Sequence, residues 1–273
     1  MTDSVYNSKI RSIFFVSFGL LLTFVLILIA IPISIVAPLG SVMAAIERFW
    51  SSVLLRISKM RVVARGMEHI RSDKNYIFIC NHQSALDIPL MMFYTPKQLR
   101  MIFKKELLYI PFFGLILWLL KFIPIDRGNR EKAVASLKKA AGRIHDGINI
   151  VIYADGTRSL DGELRPFKKG AFMLAIEAQV DIIPVTISGT INVMHKLGGI
   201  FDIKFNQEVH ILFDPPVSTS TFSIEQKDEL KTLVNSQIAS NYERIKHLSK
   251  ITDQRVIEKV IKFEKRQHPD RAA

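Results

Sequence analysis

Residues 12–46 contain no charged side chain. A segment of that length and apolarity is not a soluble surface; it must be covered by lipid or by the rest of the protein. Residues 13–31 alone are apolar over a length sufficient to cross a bilayer as one helix. A secretory signal would have a shorter apolar core and a small-residue cleavage site, which excludes that reading. As one straight helix the uncharged run would measure roughly 50 Å, more than the hydrocarbon core of a bilayer. Pro32 and Pro38 are therefore expected to break it. Two arrangements fit: one span followed by an interfacial helix, or a helical hairpin that dips into one leaflet. Lys9 and Arg11 precede the run, and Arg48, Arg56, Lys59, Arg61 and Arg65 follow it. The larger cationic cluster puts the bulk of the chain on the cytoplasmic side. Residues 1–48 are thus read as a membrane anchor.

Beyond the anchor, short apolar runs alternate with helical patterns. Residues 61–67, 76–80, 97–102, 122–127, 148–153 and 182–187 read as strands, and 129–146 and 171–179 as helices. This rhythm predicts an α/β domain over 49–220, with a mostly parallel sheet flanked by helices. Residues 200–205 and 209–213 are expected to form a hairpin. Ser223-Ile224-Glu225-Gln226 has the pattern of a capping box, opening a helix to about residue 247. Residues 221–273 then form a helical and basic extension, ending in a solvated tail or a basic amphipathic helix. Residues 110–125 are apolar but interrupted by Pro111, Gly114, Lys121 and Pro124, which suits a helix on the membrane or along an apolar groove.

The net charge of +12 calls for an anionic partner. Much of the excess lies between Lys97 and Arg143, interleaved with Ile, Leu and Phe, unlike the solvated basic arms that bind nucleic acid. The single cysteine, Cys80, excludes an internal disulfide. No His-x-His, His-Glu-x-x-His or cysteine pair marks a metal site, and no Gly-x-Ser-x-Gly or P-loop is present.

Polar residues fall at strand ends, where α/β sheets place their ligands. Asn81 to Asp87 follows the 76–80 strand. On a continuous helix His82 and Asp87 would point apart, but a turn between them would let the carboxylate fold back on the imidazole. That makes a base and its orienting partner. Arg127 ends another strand, and Asp155, Gly156, Thr157 and Arg158 follow a third. Lys104 and Lys105 lie nearby in sequence. Arginine forks suit phosphate, and Gly156-Thr157 offers a tight backbone and a hydroxyl. Without a nucleophile elbow, the chemistry left is direct transfer, with His82 deprotonating a substrate hydroxyl.

Four ordered blocks resemble the glycerolipid acyltransferase family, in particular its lysophosphatidate acyltransferases. They are Asn81-His82-Gln83-Ser84-Ala85-Leu86-Asp87, the arginine block ending at Arg127, Tyr153 to Ser159, and Ile182-Ile183-Pro184-Val185. The segments 103–107 and 167–171 fit as well, and the likeness spans about residues 60–190. The resemblance implies His82 as general base, Asp87 as its partner, and Lys105, Arg127, Asp155, Gly156, Thr157 and Arg158 on the substrate. It implies acyl-CoA or acyl carrier protein as donor, a lysophospholipid as acceptor and phosphatidic acid as product, with no cofactor. Ala154-Asp155 stands where the family has Pro-Glu. Other readings are a different lyso-lipid acceptor, a lipid-binding protein without catalysis, and a thioesterase-like hydrolase.

Overall fold

The computed structural model describes residues 2–126, 128, 131, 135–136, 140–142, 144, 147–199 and 202–267. Its first helix, α1 (Thr2–Val36), contains Pro32 instead of ending there. Pro32 lies little more than one turn from the helix end, and nearby Ser34 Oγ donates to the Ile31 carbonyl at 2.8 Å. Pro32 withholds a single bond, to the carbonyl four residues before it, and an apolar setting favours keeping the rest of the backbone helical. The turn comes at residues 37–40, and α2 (Ser41–Ser58) returns along α1. The two helices are antiparallel: Trp50 Nε1 donates to Thr23 Oγ1 at 2.9 Å, and a Cβ on Gly19 would sit 3.2 Å from Leu54. Both ends of α1 also touch the domain. Ser12 Oγ donates to the Ile203 carbonyl, Arg11 lies over the Phe205 ring, and Arg100 Nη2 reaches the Pro38 carbonyl. The two helices thus form an antiparallel pair packed on the domain. Helix α2 runs through residue 48 and is bound to the domain by Arg48, which donates to the Phe93 and Thr95 carbonyls.

Among the described residues seven strands form one sheet: β1 (Arg61–Arg65), β2 (Ile77–Cys80), β3 (Leu99–Lys104), β4 (Ile123–Ile125), β5 (Asn149–Tyr153), β6 (Ile182–Ser188) and β7 (Glu208–Phe213). Their order is β1-β7-β6-β2-β5-β3-β4, and only the β6–β7 pairing among the described strands is antiparallel. The hairpin expected over 200–213 is not formed: β7 lies between β1 and β6, and Ile203 makes an isolated bridge to Met194. Val209, Ile211 and Phe213 are buried, and a strand inserted between two others buries such residues better than a two-stranded ribbon at the surface.

Alternation along β2 divides the core. Tyr76, Phe78 and Cys80 join the cluster with α3 (Asp87–Tyr94), α4 (Phe113–Leu119) and the hairpin. Ile77 and Ile79 face α5 (Gly170–Ala178) and α7 (Lys227–Ile245) with Phe172, Leu174, Leu230 and Val234. Gln226 Oε1 accepts the Ser223 backbone N–H at 3.0 Å ahead of α7, as the capping pattern predicts. The helix expected over 129–146 falls largely outside the described residues; those described within 131–144 are helical. A short helix, α6 (Thr190–Val193), follows β6. The chain end is not a solvated tail through residue 267: α8 (Gln254–Gln267) buries Val256 and Val260 against Leu160. Its apolar residues at helical spacing make one face that the domain covers.

Candidate active site

Strand register brings the site together. Cys80 is level with Tyr153 of β5, so residues two further on, His82 and Asp155, meet at the carboxyl edge of the sheet. The His82 backbone N–H donates to Asp155 Oδ2 at 2.8 Å. Asn81 ends the strand with its side chain, which donates to the Ile187 carbonyl and accepts the Ile187 N–H, both at 2.8 Å. The turn anticipated after His82 is present. Asp87 opens α3, and its Oδ2 lies 2.8 Å from His82 Nδ1 while accepting the Gln83 and Ser84 N–H groups at 2.7 and 2.9 Å. Thr190 Oγ1 donates to its other oxygen at 2.5 Å. With the carboxylate as acceptor, the ring proton belongs on Nδ1, leaving the Nε2 lone pair for chemistry. The imidazole also stacks on Tyr153, with ring centres 4.0 Å apart and planes 22° apart.

Asp155 is held differently. Burial pushes its carboxyl up to about 7, against the His82 N–H and the histidine's charge, and its Oδ1 has no hydrogen-bond partner among the described residues. Gly156 takes a positive φ of 70°, and a Cβ there would come within 2.8 Å of the Lys168 side chain. Thr157 Oγ1 accepts from Lys196 Nζ at 3.0 Å. Arg158 is half-buried, and desolvation lowers its affinity for the proton, opposed by the charge of Asp87. Lys105 is paired with Asp126 at 2.6 Å. Arg127 lies outside the described residues; its neighbour Gly128 donates to Asp126 Oδ1 at 3.0 Å. Among the described residues, no three His, Cys, Asp or Glu side chains converge as a metal-binding set.

His82 lines a largely apolar cavity of about 1170 Å³. The cavity runs between the sheet and the hairpin, past Leu86, Met92, Phe103 and Leu117 to Ile27 and Met43. The apolar segment 110–125 lines it through Phe113, Ile116 and Phe122, which fits the groove rather than a second membrane span. Arg100 is fully buried beside this wall, bonded to Glu47 at 2.9 Å, so this member of the mid-chain basic stretch is internal.

Several site residues lack a signature in the sequence. Thr190 lies far along the chain from Asp87, and Tyr242 and Ser249 lie farther still. Gln83 Nε2 donates to Tyr242 Oη and Ser249 Oγ at 2.9 and 2.7 Å, tying the C-terminal extension to the histidine turn.

Comparison with known proteins bears on the family and the fold. The family profile Acyltransferase matches residues 61–188. A 1-acyl-sn-glycerol-3-phosphate acyltransferase of Borreliella burgdorferi is 31% identical, covering 71% of this chain and 76% of that one. The chain belongs to the acyltransferase family. A putative 1-acyl-sn-glycerol-3-phosphate acyltransferase of Caenorhabditis elegans is 34% identical over 66% of this chain. The matched stretch spans 64% of that protein. The crystal structure of the 1-acyl-sn-glycerophosphate acyltransferase of Thermotoga maritima superimposes with a TM-score of 0.71 at 26% identity, covering 88% of this chain and 98% of that one. As a member of this acyltransferase family, the chain has the relatives' mostly parallel sheet flanked by helices, with α1 preceding it.

Proposed function

We propose that the protein transfers a fatty acyl group to the free hydroxyl of 1-acylglycerol 3-phosphate, giving phosphatidic acid. One observation carries the reading: an Asp87-oriented histidine opens on a large apolar cavity, with Arg158 at the same sheet edge. The cavity suits acyl chains, and the guanidinium suits the acceptor's phosphate monoester. His82 Nε2 takes the proton of the acceptor hydroxyl as its oxygen attacks the carbonyl carbon of the acyl thioester. The new C–O bond forms, the C–S bond breaks, and the imidazolium returns its proton to the departing thiolate. Asp87 stabilises the imidazolium and fixes the ring. The donor is acyl-CoA or acyl carrier protein, and Arg127, Arg158 and Lys105 hold phosphate.

The enzyme sits on the cytoplasmic side of a membrane, with the hairpin in the near leaflet. The segment from Lys9 to Val36 is long and apolar enough to cross a membrane. Leu20, Phe24 and Leu28 on α1 are exposed together with Phe112, Leu115 and Trp118 around α4, and Phe24 packs edge-on against Phe112. Large apolar side chains exposed side by side mark a surface that meets a partner, and a membrane suits this one. The deciding measurement is thiol release from acyl-CoA, and separately from acylated acyl carrier protein, by the full chain in detergent, with and without a panel of lyso-lipids. Release that depends on lysophosphatidate is expected. Release without acceptor would make the protein a hydrolase, and no release with either donor would leave a binding protein of this fold.

A further inference from the structure

Three cations from separate parts of the chain surround the tight turn after β5. Arg158 belongs to the turn and makes no hydrogen bond or ion pair of its own among the described residues; the acid whose charge acts on it is the fully engaged Asp87. Lys168, ahead of α5, lies with its ammonium against Gly156, so close that a Cβ there would fall 2.8 Å from Nζ. It too has no side-chain partner among the described residues. Lys196, after α6, reaches back to donate to Thr157 Oγ1 at 3.0 Å and has no carboxylate within ion-pair distance among the described residues. Burial and then the like charges of Arg158 and Arg165 lower its ammonium below the ordinary lysine range. Arg165 is partly offset by Asp161 at 3.7 Å.

A folded chain gains nothing by gathering unpaired like charges, since their repulsion and desolvation oppose folding. A dianion supplied from outside removes that cost. Gly156 suits the same geometry: its φ of 70° is one that side chains rarely adopt, and a Cβ there would push the Lys168 ammonium aside. The segment bearing Lys196 is fixed, because Ser84 Oγ donates to the Met194 carbonyl at 2.9 Å and His195 Nε2 lies 2.8 Å from the Leu160 carbonyl. Lys196 is thus held beside the histidine turn on one side and the arginine loop on the other. It lies beyond the 61–188 stretch that carries the family pattern.

We propose that Lys196 and Lys168 complete, with Arg158, a three-cation cradle for a phosphate monoester at the 155–158 turn. This deepens the acyl-transfer reading, which supplies two sources for such a group: the acceptor's glycerol phosphate and the 3′-phosphate of CoA. Lys196→Gln removes the charge yet can still hydrogen-bond Thr157, and Lys196→Ala removes both. Direct binding of glycerol 3-phosphate and of CoA to the detergent-solubilised full chain is the test, with dephospho-CoA as control. Loss of one charge-assisted contact should weaken binding of one ligand about tenfold in both variants, with unfolding temperature unchanged. Weakened glycerol 3-phosphate binding assigns the cradle to the acceptor. Weakened CoA binding that is absent with dephospho-CoA assigns it to the donor. Unchanged binding of both, or no binding of either by the unmodified protein, overturns the proposal. Because these are binding measurements, a failure of acyl transfer would fall on the function and not on the cradle.

Discussion

Two aspartates flank His82, and the protein treats them in opposite ways. Asp87 accepts bonds on both oxygens from His82, Gln83, Ser84 and Thr190. Asp155 accepts one, from the His82 backbone, and buries its other oxygen without a partner among the described residues. The first holds the ring and the second holds the chain that carries the ring. A carboxylate that must stabilise a transient imidazolium needs a fixed position, which convergent donors provide. A carboxyl that only anchors an amide can tolerate an incomplete shell. The difference ranks the expected effects of substitution.

The ceiling is set by His82→Ala, which should lower kcat by roughly 10²-fold or more as the general base is lost. Asp87→Asn should fall in the same range, between roughly 10² and 10⁴-fold, because the amide cannot orient the ring proton as the carboxylate does. Steady-state acyl transfer on folded protein checks both. Near-normal turnover of His82→Ala would remove the base from the mechanism. Near-normal turnover of Asp87→Asn would place the two aspartates on one footing.

Thr190→Val should cost about 1–3 kcal/mol of stability by leaving a buried carboxylate oxygen unmatched. The loss in kcat should be smaller than for Asp87→Asn, since the Nδ1 contact survives. Chemical denaturation followed by circular dichroism measures the first and initial rates the second. An unchanged midpoint would mean that the Thr190 bond contributes nothing, and that the shell around Asp87 is no stronger than that around Asp155.

How far the sequence discloses this site depends on distance along the chain. The turn from His82 to Asp87 is local, and the apolar strand before it fixes its place, so both are readable. The register that sets His82 beside Asp155 also follows once 76–80 and 148–153 are taken as neighbouring parallel strands. Thr190, Ile187, Tyr242 and Ser249 reach the same loop through tertiary contacts that have no spacing to betray them. Arg100 counts as one more positive charge in a basic stretch, yet it is buried against Glu47 and the Pro38 carbonyl. Pro32 is a helix breaker by rule, but apolar surroundings favour keeping the backbone helical. Residues 209–213 have the right alternation for a strand, and alternation alone does not name the partner strand.

The smallest effect on turnover belongs to Asp155→Asn, where the contrast is sharpest to read through pH. The folded carboxyl titrates at about 7, against roughly 3.9 in an unfolded chain. Between those values the folded protein holds a proton that the unfolded chain has released. The contribution is therefore fully present below about pH 4 and is lost as pH rises through about 7, falling by at most ~1.4 kcal/mol per pH unit. Above that window both states are ionised and the slope vanishes. Asparagine does not titrate, so the stability of Asp155→Asn relative to the unmodified protein should rise from pH 4.5 to pH 7.5 and then level off. Thermal unfolding across that range in one detergent measures it, and parallel curves would mean that the carboxyl is not perturbed by burial. Turnover should fall less than tenfold, because the amide oxygen can still accept the His82 N–H and keep the ring near its place. The KM for lysophosphatidate should stay close to normal, since Asp155 bonds the histidine backbone and not the phosphate. A loss as deep as that of Asp87→Asn would mean that anchoring the His82 amide matters as much as orienting its ring, and the two carboxylates would then be equal partners.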